Sequence, residues 1–70
     1  MVGEQRMKVV LMVMYLLSGD IIKLPVSLAE GQTCSDRFME LVQPLDVSVV
    51  YQEKIVLLYY CKTGGGKLIN

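Results

Sequence analysis

Two apolar runs, at residues 9–17 and 55–61, constrain the fold of this chain more than any other feature. Both have apolar side chains at odd and even positions, and both contain the β-branched and aromatic residues typical of strands. A strand of this kind is apolar on both faces, so it belongs in the middle of a sheet whose two faces are covered. The sequence therefore predicts two central strands that need cover on both sides.

The first run also has the pattern of a secretory signal peptide, because the cationic residues Arg6 and Lys8 precede it. Residues 17–20 form a poor cleavage region, since an aspartate follows directly after the glycine. The run is too short for a membrane span, which needs about 20 apolar residues. We favour a strand that is retained in the protein, with a signal peptide as the alternative, and we expect no transmembrane span.

The residues after the first run predict a hairpin and an edge strand. Residues 18–20 form a Ser-Gly-Asp turn, and residues 22–28 then alternate between two faces. Pro25 cannot donate a backbone hydrogen bond to a neighbouring strand, so this strand is predicted at a sheet edge. Its buried face comprises Ile22, Leu24, Val26 and Leu28.

A short amphipathic helix is predicted next, with Thr33 or Ser35 as its N-cap and Asp36 in its first turn. Pro44 should end this helix near Val42, because the residue before a proline disfavours helical backbone. The apolar side chains recur at helical spacing and form one stripe, which comprises Cys34, Phe38, Leu41 and Leu45.

Two further strands are predicted at residues 47–51 and 55–61, joined by a turn at residues 52–54. The glycines at 64–66 should end the last strand, so we expect a single domain at residues 1–66 and a flexible tail at residues 67–70. The predicted class is α+β: a ββαββ domain with a four-stranded, mostly antiparallel sheet and one helix on one face.

One short helix can cover only one face of this sheet, so the other face would expose more apolar surface than a soluble monomer usually tolerates. We therefore expect that face to dock on another protein, either a second copy or a different partner, in an oligomer or larger assembly. The predicted interface takes the even-numbered residues of the first run, or their odd-numbered neighbours instead, with three residues of the last strand: Val10, Met12, Met14, Leu16, Val56, Leu58 and Tyr60.

The two cysteines have two open interpretations. Cys34 lies on the helix stripe and Cys61 on a strand face that can oppose it, so a disulfide can join helix and sheet. Alternatively, both cysteines are reduced and buried as small apolar side chains. A catalytic cysteine is not expected, because the chain has no histidine to form a thiolate pair and no Cys-x-x-Cys sequence.

The charge composition excludes further classes of function. The chain has 7 Lys and Arg, 7 Asp and Glu and no His, so it lacks the positive charge expected of a nucleic-acid-binding protein. Two cysteines without histidine cannot complete a zinc site, and we predict neither a metal nor another cofactor. The glycine-rich residues 63–67 depart from a phosphate-binding loop, because Leu68 follows the lysine instead of Ser or Thr. Asp36 and Glu40 are interpreted as a solvated helix face, and we predict that the protein is not an enzyme.

Four segments carry a resemblance in layout: an apolar strand after Met-Lys, a turn at a glycine, a cysteine on a short helix and a cysteine that ends the last strand. They are Met7-Lys8-Val9-Val10-Leu11, Ser18-Gly19-Asp20, Thr33-Cys34 and Tyr59-Tyr60-Cys61. In this layout the chain resembles small uncharacterised proteins of marine bacteria and their phages. The resemblance covers most of the chain as a pattern, contains no specific motif, and implies no activity and no functional residue.

Together these observations predict a non-enzymatic assembly or interaction protein that docks an apolar sheet face on itself or on a partner. A minor structural component of a phage virion fits this description, as does a phage-encoded inhibitor of a host protein. The alternative is a secreted or periplasmic binding protein stapled by a disulfide between Cys34 and Cys61. We favour a virion or the cytoplasm over a periplasmic or secreted location.

Overall fold

The computed structural model describes residues 8–69, which form one helix and a sheet of six strands joined by antiparallel pairing. In chain order the elements are β1 (Lys8–Leu16), β2 (Ile21–Leu28), α1 (Cys34–Leu41), β3 (Gln43–Pro44), β4 (Val49–Tyr51), β5 (Lys54–Lys62) and β6 (Leu68–Ile69). The strand order is β2-β1-β5-β4-β3, and β6 pairs with β5. The predicted α+β class with a mostly antiparallel sheet is confirmed, whereas the ββαββ arrangement of four strands is not.

Some sequence predictions fall on residues that the structure does not describe. They are the first seven residues of the predicted domain, including Arg6 of the signal-peptide pattern, and Asn70 at the end of the predicted tail.

The hairpin between β1 and β2 explains how the sheet tolerates a proline inside a strand. The Leu16 amide donates to the carbonyl of Asp20 at 2.9 Å, so these two residues form a hydrogen-bonded pair. Bonded and non-bonded pairs alternate along an antiparallel ladder, so Pro25, opposite Leu11, falls in a non-bonded pair. Its nitrogen therefore points away from β1. This confirms the prediction that β2 lies at a sheet edge.

Helix α1 begins at a capping box, which selects Thr33 from the two predicted N-caps. The Asp36 amide donates to Thr33 Oγ1 at 3.1 Å, and the Thr33 amide donates to Asp36 Oδ2 at 3.1 Å. The helix ends at Val42, whose backbone is extended, as the position of Pro44 predicts. Leu45, the predicted fourth member of the stripe, is exposed and lies beyond the helix, because the helix ends before β3 and Leu45 follows β3.

The hairpin between β4 and β5 is tighter than the sequence predicts. Gln52 and Glu53 both have positive φ, 50° and 69°, which is the backbone of a two-residue turn that matches the twist of the strands. Lys54 therefore belongs to β5 and not to the turn. The predicted strand at residues 47–51 shortens to β4, because Val47 is 96% exposed and lies outside the sheet.

The glycines at 64–66 form a turn and do not end the sheet. The Thr63 amide donates to the carbonyl of Lys67 at 2.8 Å, and Gly66 takes a φ of 89° that favours glycine. Leu68 and Ile69 then pair with Lys62 and Cys61 as strand β6. The predicted tail at residues 67–70 is therefore corrected at these two positions, which belong to the sheet.

The core lies between the helix and the face of the sheet that we call the inner face. The even-numbered residues of β1 from Val10 onward point into it, and the ring of Phe38 from α1 stacks on Tyr59 from β5, with ring centroids 3.7 Å apart. Five residues of the predicted exposed interface are buried here instead: Val10, Met12, Met14, Leu16 and Val56. The reason is that β1 is apolar on both faces, so the pattern alone could not decide which face the helix would cover.

A disulfide between Cys34 and Cys61 fastens α1 to the inner face. The two Cα atoms are 6.1 Å apart, and both side chains are buried. Cys34 is the first residue of the helix, and Cys61 lies opposite Met12 at the centre of the sheet. Of the two interpretations that the sequence left open, the structure has the disulfide.

Replacing both cysteines by alanine should lower the free energy of unfolding by about 3–4 kcal/mol, because the bond closes a long loop in the unfolded chain. Denaturation by urea with and without a reductant measures this change. The reductant should destabilise the wild-type protein and leave the double variant unaffected. Equal stability of the oxidised wild-type protein and the variant would contradict this role of the disulfide.

Candidate protein-interaction surface

The face of the sheet opposite the helix is built by the three adjacent strands β2, β1 and β5. We call it the outer face and define it by three rows of residues in register across these strands. The rows are Ile21–Tyr15–Leu58, Lys23–Val13–Tyr60 and Pro25–Leu11–Lys62. None of these nine residues belongs to the core cluster. The outer face is therefore a second apolar surface, separate from the core.

Water reaches much of the outer face. Ile21 is 51% exposed and Leu58 is 53% exposed, so the row at Tyr15 has open apolar side chains on both flanks. Val13 at the centre is only 1% exposed, although it lies outside the core cluster. We attribute its burial to the longer side chains of Lys23 and Tyr60, which flank it in register. The surface thus has a closed centre and open apolar edges.

A β-bulge in β5 determines which of its residues reach the outer face. Tyr15 pairs with Leu58, but the next residue, Leu16, pairs with Val56, so Leu57 is an extra residue without a partner. The bulge reverses the alternation of side chains along β5. As a result Val56 points into the core, whereas Leu58 points outward. The prediction that Val56, Leu58 and Tyr60 share one face is therefore wrong for Val56.

Of the seven predicted interface residues, the structure brings only Leu58 and Tyr60 to the outer face. The β1 residues there are the odd-numbered Leu11, Val13 and Tyr15, which were the alternative set allowed by the sequence. The flanking residues from β2 were not predicted. The sequence does indicate them, because they alternate along β2 with the residues of its predicted buried face and so point to the opposite side.

Two tyrosines interact diagonally across the outer face. The ring centroids of Tyr15 and Tyr60 are 6.3 Å apart with an interplanar angle of 32°. Hydrogen bonding with Tyr60 raises the pKa of Tyr15 above its usual 10.0, and the negative charge that Tyr60 would carry if ionised adds to this effect. Lys23 and Lys62 act in the opposite direction, because a nearby positive charge favours the ionised phenol.

Charge is unevenly distributed between the outer face and the rest of the chain. The only charged members of the outer face are Lys23 and Lys62, both positive. The two carboxylates of the predicted solvated face lie on the helix: Asp36 caps its N-terminus, and Glu40 forms an ion pair with Arg37 at 2.9 Å. This agrees with their interpretation as a solvated helix face. Since the chain has no net charge, a positive outer face implies that the rest of the chain is negative overall.

Within residues 8–69, no helix has the length and apolar character needed to cross a membrane. The same residues contain no group of three or more side chains of the kinds that hold a metal ion. Comparison of the chain with protein-family models, with curated protein sequences and with solved structures gives no match. The case for a function therefore depends on the surfaces described above.

Aspartate should destabilise the protein far more on the inner face of the sheet than on the outer face. Met12→Asp places a carboxylate at a position that is 0% exposed, so we expect a loss of more than about 4 kcal/mol of stability or an unfolded chain. Leu58→Asp should change stability by no more than about 1 kcal/mol, because its side chain already contacts water. Circular dichroism and denaturation in dilute solution measure both. Similar stability of the two variants would show that the faces are wrongly assigned.

The contact between the two tyrosines should make the titration of Tyr15 depend on Tyr60. Removing the Tyr60 hydroxyl with Tyr60→Phe should lower the pKa of Tyr15, whereas Tyr51→Phe, on β4, should not. Because the pKa of Tyr15 is raised in the folded state, the stability contributed by this contact is present below pH 10.0 and is lost as the pH rises through the raised value. Nuclear magnetic resonance of tyrosines labelled at Cζ follows each residue separately. An unchanged Tyr15 midpoint in Tyr60→Phe would rule out the contact.

Proposed function

We propose that this chain is a non-enzymatic interaction protein that docks its outer face on another protein, either a second copy or a different partner. The observation that carries the proposal is a sheet face on which seven of nine residues are uncharged and whose apolar edge residues are exposed. The proposal assigns no catalytic residue and no cofactor. A minor structural component of a phage virion and an inhibitor of a host protein are two roles that such a surface suits.

The hydrophobic effect supplies the driving force for docking. Burial of apolar surface contributes about 25 cal/mol per Å², and Leu58 and Ile21 each have about half of their surface still available. Tyrosine is enriched in protein interfaces because its ring is apolar and its hydroxyl can form a hydrogen bond. Tyr15 and Tyr60 place two such side chains near the middle of the outer face.

A secreted or periplasmic binding protein is the second candidate. The disulfide between Cys34 and Cys61 favours it, because disulfides persist in oxidising compartments and small domains there often depend on them. This candidate differs from the first in cellular location and not in the surface used. Docking through the outer face serves both.

Photo-crosslinking from position 58 tests the proposed function and captures the partner whatever its identity. A photoreactive amino acid in place of Leu58 lies on the outer face, and one in place of Val47 is equally accessible but lies outside the sheet. In cells that make the protein, we expect position 58 to yield a discrete adduct that position 47 does not yield. The adduct mass then separates a second copy from a different partner.

Two results would contradict the proposed function. One is the absence of any discrete adduct from position 58. The other is the same set of adducts from positions 58 and 47, which would indicate random encounters and not a defined surface. Circular dichroism of both purified variants serves as the control that the fold is intact.

A further inference from the structure

We propose that the occupant of the outer face is a second copy of this chain. The two copies are related by a two-fold axis that is parallel to β1 and lies midway between the two sheets; we call it the axis along β1. This inference rests on the proposed docking function and adds the partner and its geometry. The strand register gives each outer-face residue of β1 one neighbour on β2 and one on β5 at the same level. A two-fold axis along β1 exchanges these two sides, so β2 of one copy faces β5 of the other.

The exchange brings complementary side chains together at every level. At Tyr15, Ile21 of one copy meets Leu58 of the second copy, and both are apolar and exposed. At Val13, Lys23 meets Tyr60 of the second copy, which places a cation against an aromatic ring. At Leu11, Pro25 meets the aliphatic stem of Lys62, whose ammonium group can extend to water.

The charge distribution of the outer face supports this axis. Its two charged residues are both positive, so many ways of placing two copies face to face would oppose like charges. A two-fold axis across the strands at the level of Val13, for example, would place Lys23 against Lys23 of the second copy. The axis along β1 avoids this, because each lysine lies opposite an uncharged residue of the other copy.

The same axis fits the way that sheets pack. Two sheets packed face to face keep their strand directions within about 30° and lie about 10 Å apart. With the axis parallel to β1, the two β1 strands run in the same direction, and Leu11 and Tyr15 of both copies lie at the centre of the contact, while Val13 stays covered by its own neighbours. The contact uses the same surface on both copies, so the assembly closes as a dimer.

A charge exchange across the axis provides the decisive test. We expect the wild-type chain to have twice its 7.9 kDa mass in light scattering over a dilution series. Tyr60→Lys would oppose Lys23 of the second copy and should raise the dimer dissociation constant by about tenfold or more. Adding Lys23→Glu to Tyr60→Lys makes the facing charges opposite, and should return the dissociation constant to within about threefold of the wild-type value.

Matched controls separate the axis from general effects of charge. Lys54→Glu makes the same change as Lys23→Glu at the tip of the hairpin between β4 and β5, away from the outer face, and should leave the dimer unchanged. Tyr60 is half-buried, so a second pair covers the case in which Tyr60→Lys fails to fold. That pair is Ile21→Lys, which should weaken the dimer, and Ile21→Lys with Leu58→Glu, which should restore it.

The outcomes distinguish this inference from the proposed function. A monomer at all concentrations overturns the dimer, while an adduct of position 58 with a different protein would leave the docking function intact. A dimer that is insensitive to the charged variants, or that neither double variant restores, overturns the axis along β1. Absence of a discrete adduct from position 58 overturns the docking function itself and the dimer with it.

Discussion

The cover that α1 provides on one face of the sheet is the interaction on which the rest of the structure depends. Strand β1 is apolar on both faces, and the helix buries only one of them, through the Phe38–Tyr59 stack and the disulfide between Cys34 and Cys61. A domain of this size has a small core and often needs such a covalent link for stability. Once the inner face is fastened in this way, the remaining apolar residues of β1 have no place in the core.

Features governed by local chemistry could be predicted from the sequence, and features governed by competition between equal alternatives could not. The Thr33 cap, the helix end before Pro44 and the edge position of β2 each follow from one or two residues with restricted backbone or hydrogen-bonding behaviour. The choice of inner face does not, because both faces of β1 are apolar. The bulge at Leu57 has no glycine to mark it, and it reverses the alternation on which the placement of Val56 relied.

The glycines at 64–66 show a second limit of prediction from sequence, because the same residues suit both a flexible end and a tight turn. Three consecutive glycines are typical of a flexible end, yet a tight turn also needs glycine, and Gly66 has a positive φ. What decides between the two is the open edge of β5 at Cys61 and Lys62, which residues 68 and 69 occupy. That edge is open because β4 pairs only with the other end of β5, and it exists only once the sheet has formed. Composition alone could not reveal it.

The free edge of the sheet at β2 is protected against pairing, which makes the outer face a more favourable surface for association than this edge. A free edge strand is normally the site at which sheets aggregate, and natural proteins protect such edges with proline and lysine. β2 carries both: Pro25 lacks a donor on the open edge, and Lys23 brings a charge to the same strand. The outer face has no comparable protection beyond its two lysines, whose stems cover apolar neighbours while their charges stay in water. Two-fold association through one face closes after one partner, whereas pairing of one free edge with a different edge of the next copy would continue without limit. Because Lys23 lies on the edge strand and also projects from the outer face, a single residue opposes the open-ended contact and would take part in the proposed dimer.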